Sequence, residues 1–172
     1  AEYYAPHIHH ATMEPPAAVA SVTADACEIW APSQDPQSLI PMAEAITGLK
    51  PEQIRVNVTL LGGAFGRKSK CDFVEEAVFL SKQLAAPVLV QWSREDDIRH
   101  DYYHAVSAQR LEAGLDGSGA VTAWRHRAAY PSIMSTFDSA VREAALMETG
   151  MGAVNVPYAI PNLRFEVGPA DA

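Results

Sequence analysis

Three glycines between a strand-like and a helix-like stretch form the part of this sequence best suited to bind a ligand. They are Gly62, Gly63 and Gly66, in a turn of sequence GGAFG. Glycine lets the backbone approach a ligand closely, and the helix that follows offers unpaired amide donors to an anion or an oxo group. The spacing is neither the GxGxxG of dinucleotide-binding folds nor a Walker A loop. The pattern alone leaves open a tight turn that binds nothing.

Two other groups of residues suggest different chemistry. His7, His9, His10 and Glu14 carry side chains that bind zinc, but their spacing matches no standard zinc motif, and a solvated loop is the alternative. The run from Arg94 to Asp101 contains carboxylates that could form a catalytic pair. A mixed-charge run of this kind is typical of a solvated or salt-bridged surface. We therefore predict a surface role for it.

The glycine turn must be positioned by the elements on either side. Alternating apolar and polar residues from Ile54 to Leu60 predict a half-buried strand before the turn. An apolar face from Phe73 to Leu84 predicts a helix after it, and Ser69 three positions before Asp72 resembles a capping box.

The remaining pattern predicts an α+β fold. A first helix is expected from Pro36, with Asp35 as its cap, to a stop at Gly48. A short helix is expected over residues 139–147. Strands are expected over residues 17–30, 88–92, 106–113, 121–130 and 163–167. The prediction is a mixed β-sheet with two main helices packed on it, in a single domain of residues 1–172.

Composition excludes some classes of partner. The net charge of -8 and the pI near 5.1 argue against binding to nucleic acid or to an anionic membrane, because cations are needed to neutralise phosphates. No stretch approaches the roughly 20 apolar residues that span a bilayer, and the first residues do not form a signal peptide. Cys27 and Cys71 suit two buried thiols, with a single disulfide as the alternative.

Five stretches resemble, in the same order, the motifs of molybdenum hydroxylases, the xanthine oxidase and aldehyde oxidase family. The resemblance covers nearly the whole chain and is strongest to the branch of isoquinoline 1-oxidoreductase beta subunits and aldehyde dehydrogenases. The turn resembles the family's GGGFG loop, and the other stretches resemble its HAxMEP, WAPTQxP, WSREDD and YxIPNxR motifs. They are Gly62–Lys68, His10–Pro15, Trp30–Pro36, Trp92–Asp97 and Asn155–Arg164.

The resemblance implies part of a large subunit that binds molybdopterin, whose own sulfur atoms hold the molybdenum, so that no protein side chain is a metal ligand. Gln34 matches a glutamine that donates a hydrogen bond beside the metal's oxo group. Phe65 and Gly66 match the segment whose amide approaches that group while the ring walls the substrate pocket. The implied cofactor-binding residues are Gln34, Gly62, Gly63, Ala64, Phe65, Gly66 and Arg67.

The sequence departs from the family pattern in three places. Ala64 replaces a third glycine, which is expected to limit the backbone angles of the turn. Ser69 stands where purine-oxidising members have a glutamate, which disfavours a xanthine-like substrate. The family's general-base glutamate lies near the far C-terminal end of the subunit, outside this chain, so we assign no catalytic residue.

The resemblance also implies the parent's activity. The expected reaction hydroxylates an aldehyde or an N-heteroaromatic ring with oxygen from water, and electrons pass to [2Fe-2S] clusters on a small partner subunit. The cofactor is molybdopterin, with the cytosine dinucleotide form as one variant. A periplasmic location is expected, with the cytoplasm as the alternative, and the isolated chain is expected to be inactive. The rival hypothesis is a non-enzymatic structural or interaction domain that keeps the fold without the cofactor.

Overall fold

The chain folds into two compact units. A computed structural model describes residues 1–170. One unit is Ile8–Tyr103, and the other combines Ala1–His7 with the chain from His104 onwards. The single domain predicted for residues 1–172 stays a prediction.

The unit Ile8–Tyr103 is built on a mixed four-stranded sheet. Its strands are β1 (Ala17–Val22), β2 (Cys27–Ala31), β3 (Ile54–Val58) and β4 (Val88–Gln91), in the order β3-β2-β1-β4. Only β2 and β3 run parallel; β1 pairs antiparallel with both of its neighbours. The glycine turn lies between β3 and the helix that follows, so the end of a strand of this sheet leads directly into it.

Two helices cover one face of this sheet. They are α1 (Leu39–Thr47) and α2 (Asp72–Leu84), and a shorter helix, α3, spans Arg94–Arg99. Alternate strand residues meet the apolar faces of the helices, as expected for a sheet with one buried side. The core consists mainly of Ala18, Ala20, Cys27, Ile29, Ala31, Leu39, Ala43, Phe73, Val74, Ala77 and Val78. The predicted α+β fold with a mixed sheet and two main helices is confirmed.

The other unit contains a three-stranded sheet. Its strands lie side by side in chain order and are β5 (Ala108–Leu115), β6 (Val121–Tyr130) and β7 (Asn162–Pro169). β5 and β6 form an antiparallel hairpin, and β7 runs parallel to β6. The register separates an apolar face from a face of paired charges. The charged face carries Arg110, Glu112, Arg125, Arg127, Arg164 and Glu166.

Both main helices begin differently from the prediction. α1 starts at Leu39 after Ser38, not at Pro36, and Asp35 does not cap it. The hydroxyl of Ser33 accepts the Asp35 amide, which holds this stretch in a turn. The Ser69 capping box is also wrong, because the Ser69 hydroxyl donates to the Gly66 carbonyl at 2.6 Å and the residue directly before α2 is Cys71.

Three leucines predicted on buried faces are exposed. β3 ends at Val58, so Leu60 lies outside the sheet and is 95% exposed. Leu80 and Leu84 of α2 are 39% and 65% exposed. The helix predicted over residues 139–147 is wrong as well, since only Leu146–Thr149 is helical there (α4). Among residues 1–170, no helix combines the length and apolar character needed to cross a bilayer.

Candidate functional site

Glycine is required at three positions of the turn for two different reasons: the backbone angle at two of them and lack of space at the third. Gly63 and Gly66 have φ angles of 96° and 100°, a region that favours glycine. Gly62 needs no such angle, but a Cβ built on it would lie 2.5 Å from the Cβ of Glu14. Ala64 has no positive φ, so its methyl group is compatible with the backbone. Phe65 does have one, at 53°, which is unusual for an aromatic residue.

Gln34 reaches the turn from the loop between β2 and α1. Its side-chain Oε1 accepts a hydrogen bond from the Gly66 amide at 3.0 Å, and its own backbone amide donates to the Lys68 carbonyl at 2.9 Å. Since the Gly66 N–H can only donate, it fixes which end of the Gln34 amide faces the turn. The NH₂ group of Gln34 is left as a donor, and it makes no hydrogen bond within residues 1–170.

Three successive amides in the turn are free to bind a ligand. The backbone N–H groups of Gly63, Ala64 and Phe65 find no acceptor in the described chain, whereas those of Gly62 and Gly66 are paired. Successive amide donors in a turn with alternating backbone handedness form a concave anion-binding arrangement. The Phe65 ring beside them is 70% exposed and adds an apolar surface. The turn therefore suits a ligand that combines an anionic or oxo group with an apolar portion.

Arg67 points into the protein and not toward a ligand. Its guanidinium binds both carboxylate oxygens of Asp72, at 3.0 and 2.7 Å, and lies 5.2 and 5.3 Å from the ring centres of Trp92 and Tyr102. Its Nε is 3.1 Å from Asp101 Oδ1, an ion pair without hydrogen-bond geometry. Because the side chain is fully buried, any contact of Arg67 with a cofactor would come from its main chain.

The mixed-charge run is salt-bridged, one of the two predicted alternatives, but not all of it lies at the surface. Asp97 and Asp101 are buried, and each has a charged partner. Arg94 pairs with Asp97 and also donates to the Thr12 carbonyl. The first turn of α3 is closed by Ser93, whose hydroxyl accepts the Asp96 amide. Asp97 pairs with Arg94 three positions away, whereas Asp101 is buried between two residues distant in sequence, His10 and Arg67.

The residues of the possible zinc site do not converge. His10 binds the Asp101 carboxylate at 2.9 Å, and Glu14 pairs with the ammonium group of Lys68. His7 contacts the His104 carbonyl at 2.8 Å. Within residues 1–170, no three His, Cys, Asp or Glu side chains lie close enough together to hold a metal ion.

Sequence reasoning placed the turn and Gln34 in one site but missed the residues behind them. Glu14 and Lys68 are both within stretches that resemble family motifs, yet the sequence suggested no role for Lys68 and only a possible zinc ligand for Glu14. Their pairing across 54 positions could not be inferred from spacing. The only signal for this pairing in the sequence is that one motif contains an acidic residue, Glu14, and another contains a basic residue, Lys68.

Comparison with known proteins identifies the family of the chain. The family model described as "Molybdopterin cofactor-binding domain" matches residues 1–170. The beta chain of isoquinoline 1-oxidoreductase from Brevundimonas diminuta is 32% identical over 73% of this chain and 16% of its own length. A nicotinate dehydrogenase component from Pseudomonas putida is 27% identical over 96% of this chain and 14% of its own length. The chain thus spans about a sixth of the length of these relatives.

A solved structure shares the fold. Aldehyde oxidoreductase from Desulfovibrio gigas superposes with a TM-score of 0.69 over 92% of this chain and 17% of its own. The sequences are 20% identical, so this likeness concerns the fold alone. The unpaired amides of the turn and the free NH₂ group of Gln34 are hydrogen-bond donors of the kind that a molybdopterin ligand requires.

Proposed function

This chain belongs to the family of molybdopterin cofactor-binding domains, and we propose on that premise that it is part of the large subunit of a molybdenum-dependent oxidoreductase. The parent hydroxylates an aldehyde or an N-heteroaromatic ring with oxygen from water. The relatives support this substrate class, since they include an isoquinoline oxidoreductase, a nicotinate dehydrogenase and an aldehyde dehydrogenase. The hydrogen bond between Gln34 and Gly66 is the observation that carries the proposed site.

The residues of this chain bind and orient the cofactor. When bound, molybdopterin supplies the redox chemistry, and its own sulfur atoms hold the metal. The amides of Gly63, Ala64 and Phe65 and the NH₂ group of Gln34 are the donors available to it. Donors fixed before the reaction stabilise developing negative charge without reorganisation. The Phe65 ring excludes water from one side of the turn and offers an apolar wall to the substrate.

The rest of the catalytic apparatus lies elsewhere in the parent. The general-base glutamate is supplied by the remainder of the large subunit, and a small subunit with [2Fe-2S] clusters receives the electrons. The cofactor is the cytosine dinucleotide form of molybdopterin, and the enzyme works in the periplasm. The isolated chain has no turnover because it lacks the base and most of the cofactor cleft.

Replacing Gln34 or Phe65 by alanine in the complete enzyme is expected to lower turnover far more than stability. Loss of one preorganised donor costs about 100-fold or more in kcat, which sets the expectation for Gln34→Ala. The measurements are kcat for an aldehyde and for an N-heteroaromatic substrate, the molybdenum content from elemental analysis, and the Tm.

Matched controls come from the exposed side of α2. Gln83→Ala and Phe79→Ala remove the same side chains at positions outside the site, and Phe79 is 51% exposed. Both controls should retain wild-type turnover. Wild-type kcat in Gln34→Ala and Phe65→Ala would contradict the site, and a complete, assembled protein without molybdenum would favour the non-enzymatic alternative.

A further inference from the structure

The segment His10–Glu14, here called the clasp, lies directly behind the glycine turn and has no role in the function proposed so far. Glu14 holds Gly62 at both of its polar groups. The Glu14 backbone amide donates to the Gly62 carbonyl at 3.0 Å, and the Glu14 carboxylate accepts the Gly62 amide at 3.1 Å. The close approach explains why a Cβ at Gly62 would collide with Glu14. The start of the turn is therefore fixed to the clasp.

The same carboxylate oxygen also fixes the end of the turn. Glu14 Oε2 accepts a hydrogen bond from the ammonium group of Lys68, which is completely buried. The Lys68 carbonyl in turn accepts the backbone amide of Gln34. One carboxylate thus connects Gly62, where the turn begins, with Lys68, where the turn ends. Lys68 in turn connects the carboxylate to Gln34, which carries the free NH₂ group.

The clasp is itself held by charged side chains. Arg94 donates to the carbonyls of Thr12 and Met13, the latter at 3.1 Å. The fully buried Thr12 donates from its hydroxyl to the Glu14 carbonyl at 2.6 Å. At the other end, the His10 ring pairs with the buried Asp101. Glu14 is consequently presented to the turn by a segment with contacts at both ends.

The energetic role of the carboxylate has two separable parts. It neutralises a buried ammonium, and an unpaired buried charge is strongly destabilising. It also accepts the Gly62 amide, a charge-assisted hydrogen bond that sets geometry. Although burial raises the pKa of Glu14, the hydrogen bonds from Lys68 and Gly62 bring that pKa below its ordinary value, so the charged form is present at neutral pH.

We propose that Glu14 is a positioning residue: it closes the glycine turn between Gly62 and Lys68 and so sets how Gln34 and the free amides face the cofactor. The turn-closing contact stands on the geometry alone, whereas its effect on turnover rests on the function proposed above. Glu14 touches neither substrate nor cofactor in this role.

The contact is tested by hydrogen exchange of the peptide that covers residues 60–67, measured by mass spectrometry on the assembled enzyme. Glu14→Ala should speed exchange of the Gly62 amide about tenfold or more, since its acceptor is lost. Glu14→Gln keeps an oxygen for that amide and should exchange nearly as the wild type does. The matched control is Glu166→Gln, a carboxylate that is paired with Arg127 and Arg164 outside the site and is similarly exposed.

The two variants separate positioning from stability. Both remove the charge opposite Lys68, so both should lower the Tm, but only Glu14→Ala should lower kcat, about tenfold, with a smaller change in KM. If Glu14→Ala does not fold, Glu14→Ala combined with Lys68→Met removes the unpaired charge and keeps the exchange measurement.

Five outcomes decide between these roles. Faster exchange and lower kcat confined to Glu14→Ala support the proposal. Unchanged exchange in Glu14→Ala, or the same change in Glu166→Gln, overturns it, and so does faster exchange with wild-type kcat at wild-type molybdenum content. If the wild-type enzyme contains no molybdenum, the proposed function is refuted instead. The exchange measurement then still tests the contact between Glu14 and Gly62.

Discussion

Gly62 is the residue of the turn that tolerates no side chain, although its backbone angles are ordinary. The obstacle is Glu14, whose Cβ would be 2.5 Å from a new methyl group. Gly63 and Gly66 are different, because their positive φ angles and not their neighbours favour glycine. A short run of glycines can thus have a separate physical reason at each position.

Gly62→Ala is expected to lower the free energy of unfolding by about 1–3 kcal/mol, the usual cost of overpacking. Gly117→Ala is the control, since a Cβ there meets nothing within 4 Å and the φ angle is not positive; its change should stay within about 0.5 kcal/mol. Urea unfolding followed by tryptophan fluorescence measures both. Equal stability of the two variants would show that Glu14 can move away from the turn.

Arg67 and Lys68 show how two adjacent cations serve the site from inside the protein. Both side chains are fully buried, and each meets a carboxylate supplied by another part of the unit Ile8–Tyr103. Their backbones continue the turn, while their side chains anchor it to the clasp and to Asp101. The implied role of Arg67 as a cofactor-binding residue stays a prediction, limited to its main chain.

The two main helices end in the same left-handed conformation with different residues. α1 ends at Gly48 with φ 77°, and α2 ends at Ala85 with φ 51°. Glycine adopts this conformation freely, whereas alanine is strained because its Cβ approaches the carbonyl oxygen. α2 therefore carries a small, removable strain at its end, although it forms much of the core.

Ala85→Gly is expected to raise the free energy of unfolding by about 0.5–1 kcal/mol, because relief of the left-handed strain exceeds the entropy cost of glycine. Gly48→Ala should lower it by about 1 kcal/mol at the corresponding position of α1. Ala85 is exposed, so no packing is lost. Chemical unfolding of the three proteins measures the effect, and a destabilised Ala85→Gly would mean that α2 ends differently in solution.

The unit Ile8–Tyr103 contains the candidate site and a thiol that reports on opening of its core. Cys27 on β2 is 1% exposed, and burial raises its pKa to about 11. Cys71 precedes α2 and is partly exposed; burial and then the nearby Glu75 raise its pKa. Both cysteines are free thiols, so neither is protected by a disulfide.

Iodoacetamide at pH 8 is expected to modify Cys71 slowly and Cys27 only when the sheet opens, because the thiolate is the reactive form and Cys27 is both inaccessible and protonated. The labelling rates of the two cysteines, followed by peptide mass spectrometry, should differ in buffer and become similar in strong denaturant. Labelling of Cys27 in buffer as fast as Cys71 would contradict the buried position of β2.

Local patterns in the sequence are sufficient to identify the strands, the two main helices and the family. The apolar periodicity of α2, the alternation in β3 and β6 and the five motifs in order identify the fold class and the glycine turn. These features depend on residues close together in the chain, which spacing reports directly. The starts of α1 and α2 were mispredicted because Ser33 and Ser69 use their hydroxyls within turns.

The surroundings of the turn, in contrast, depend on how the whole unit folds. The Gln34 and Gly66 contact joins residues 32 positions apart, and Glu14 and Lys68 are 54 apart. The resemblance implied the first pair, but no local pattern predicts the second or the burial of Asp101. Whether a charged side chain is solvated or paired in the interior depends on which distant segment packs against it, and that is set by how the strands and helices assemble.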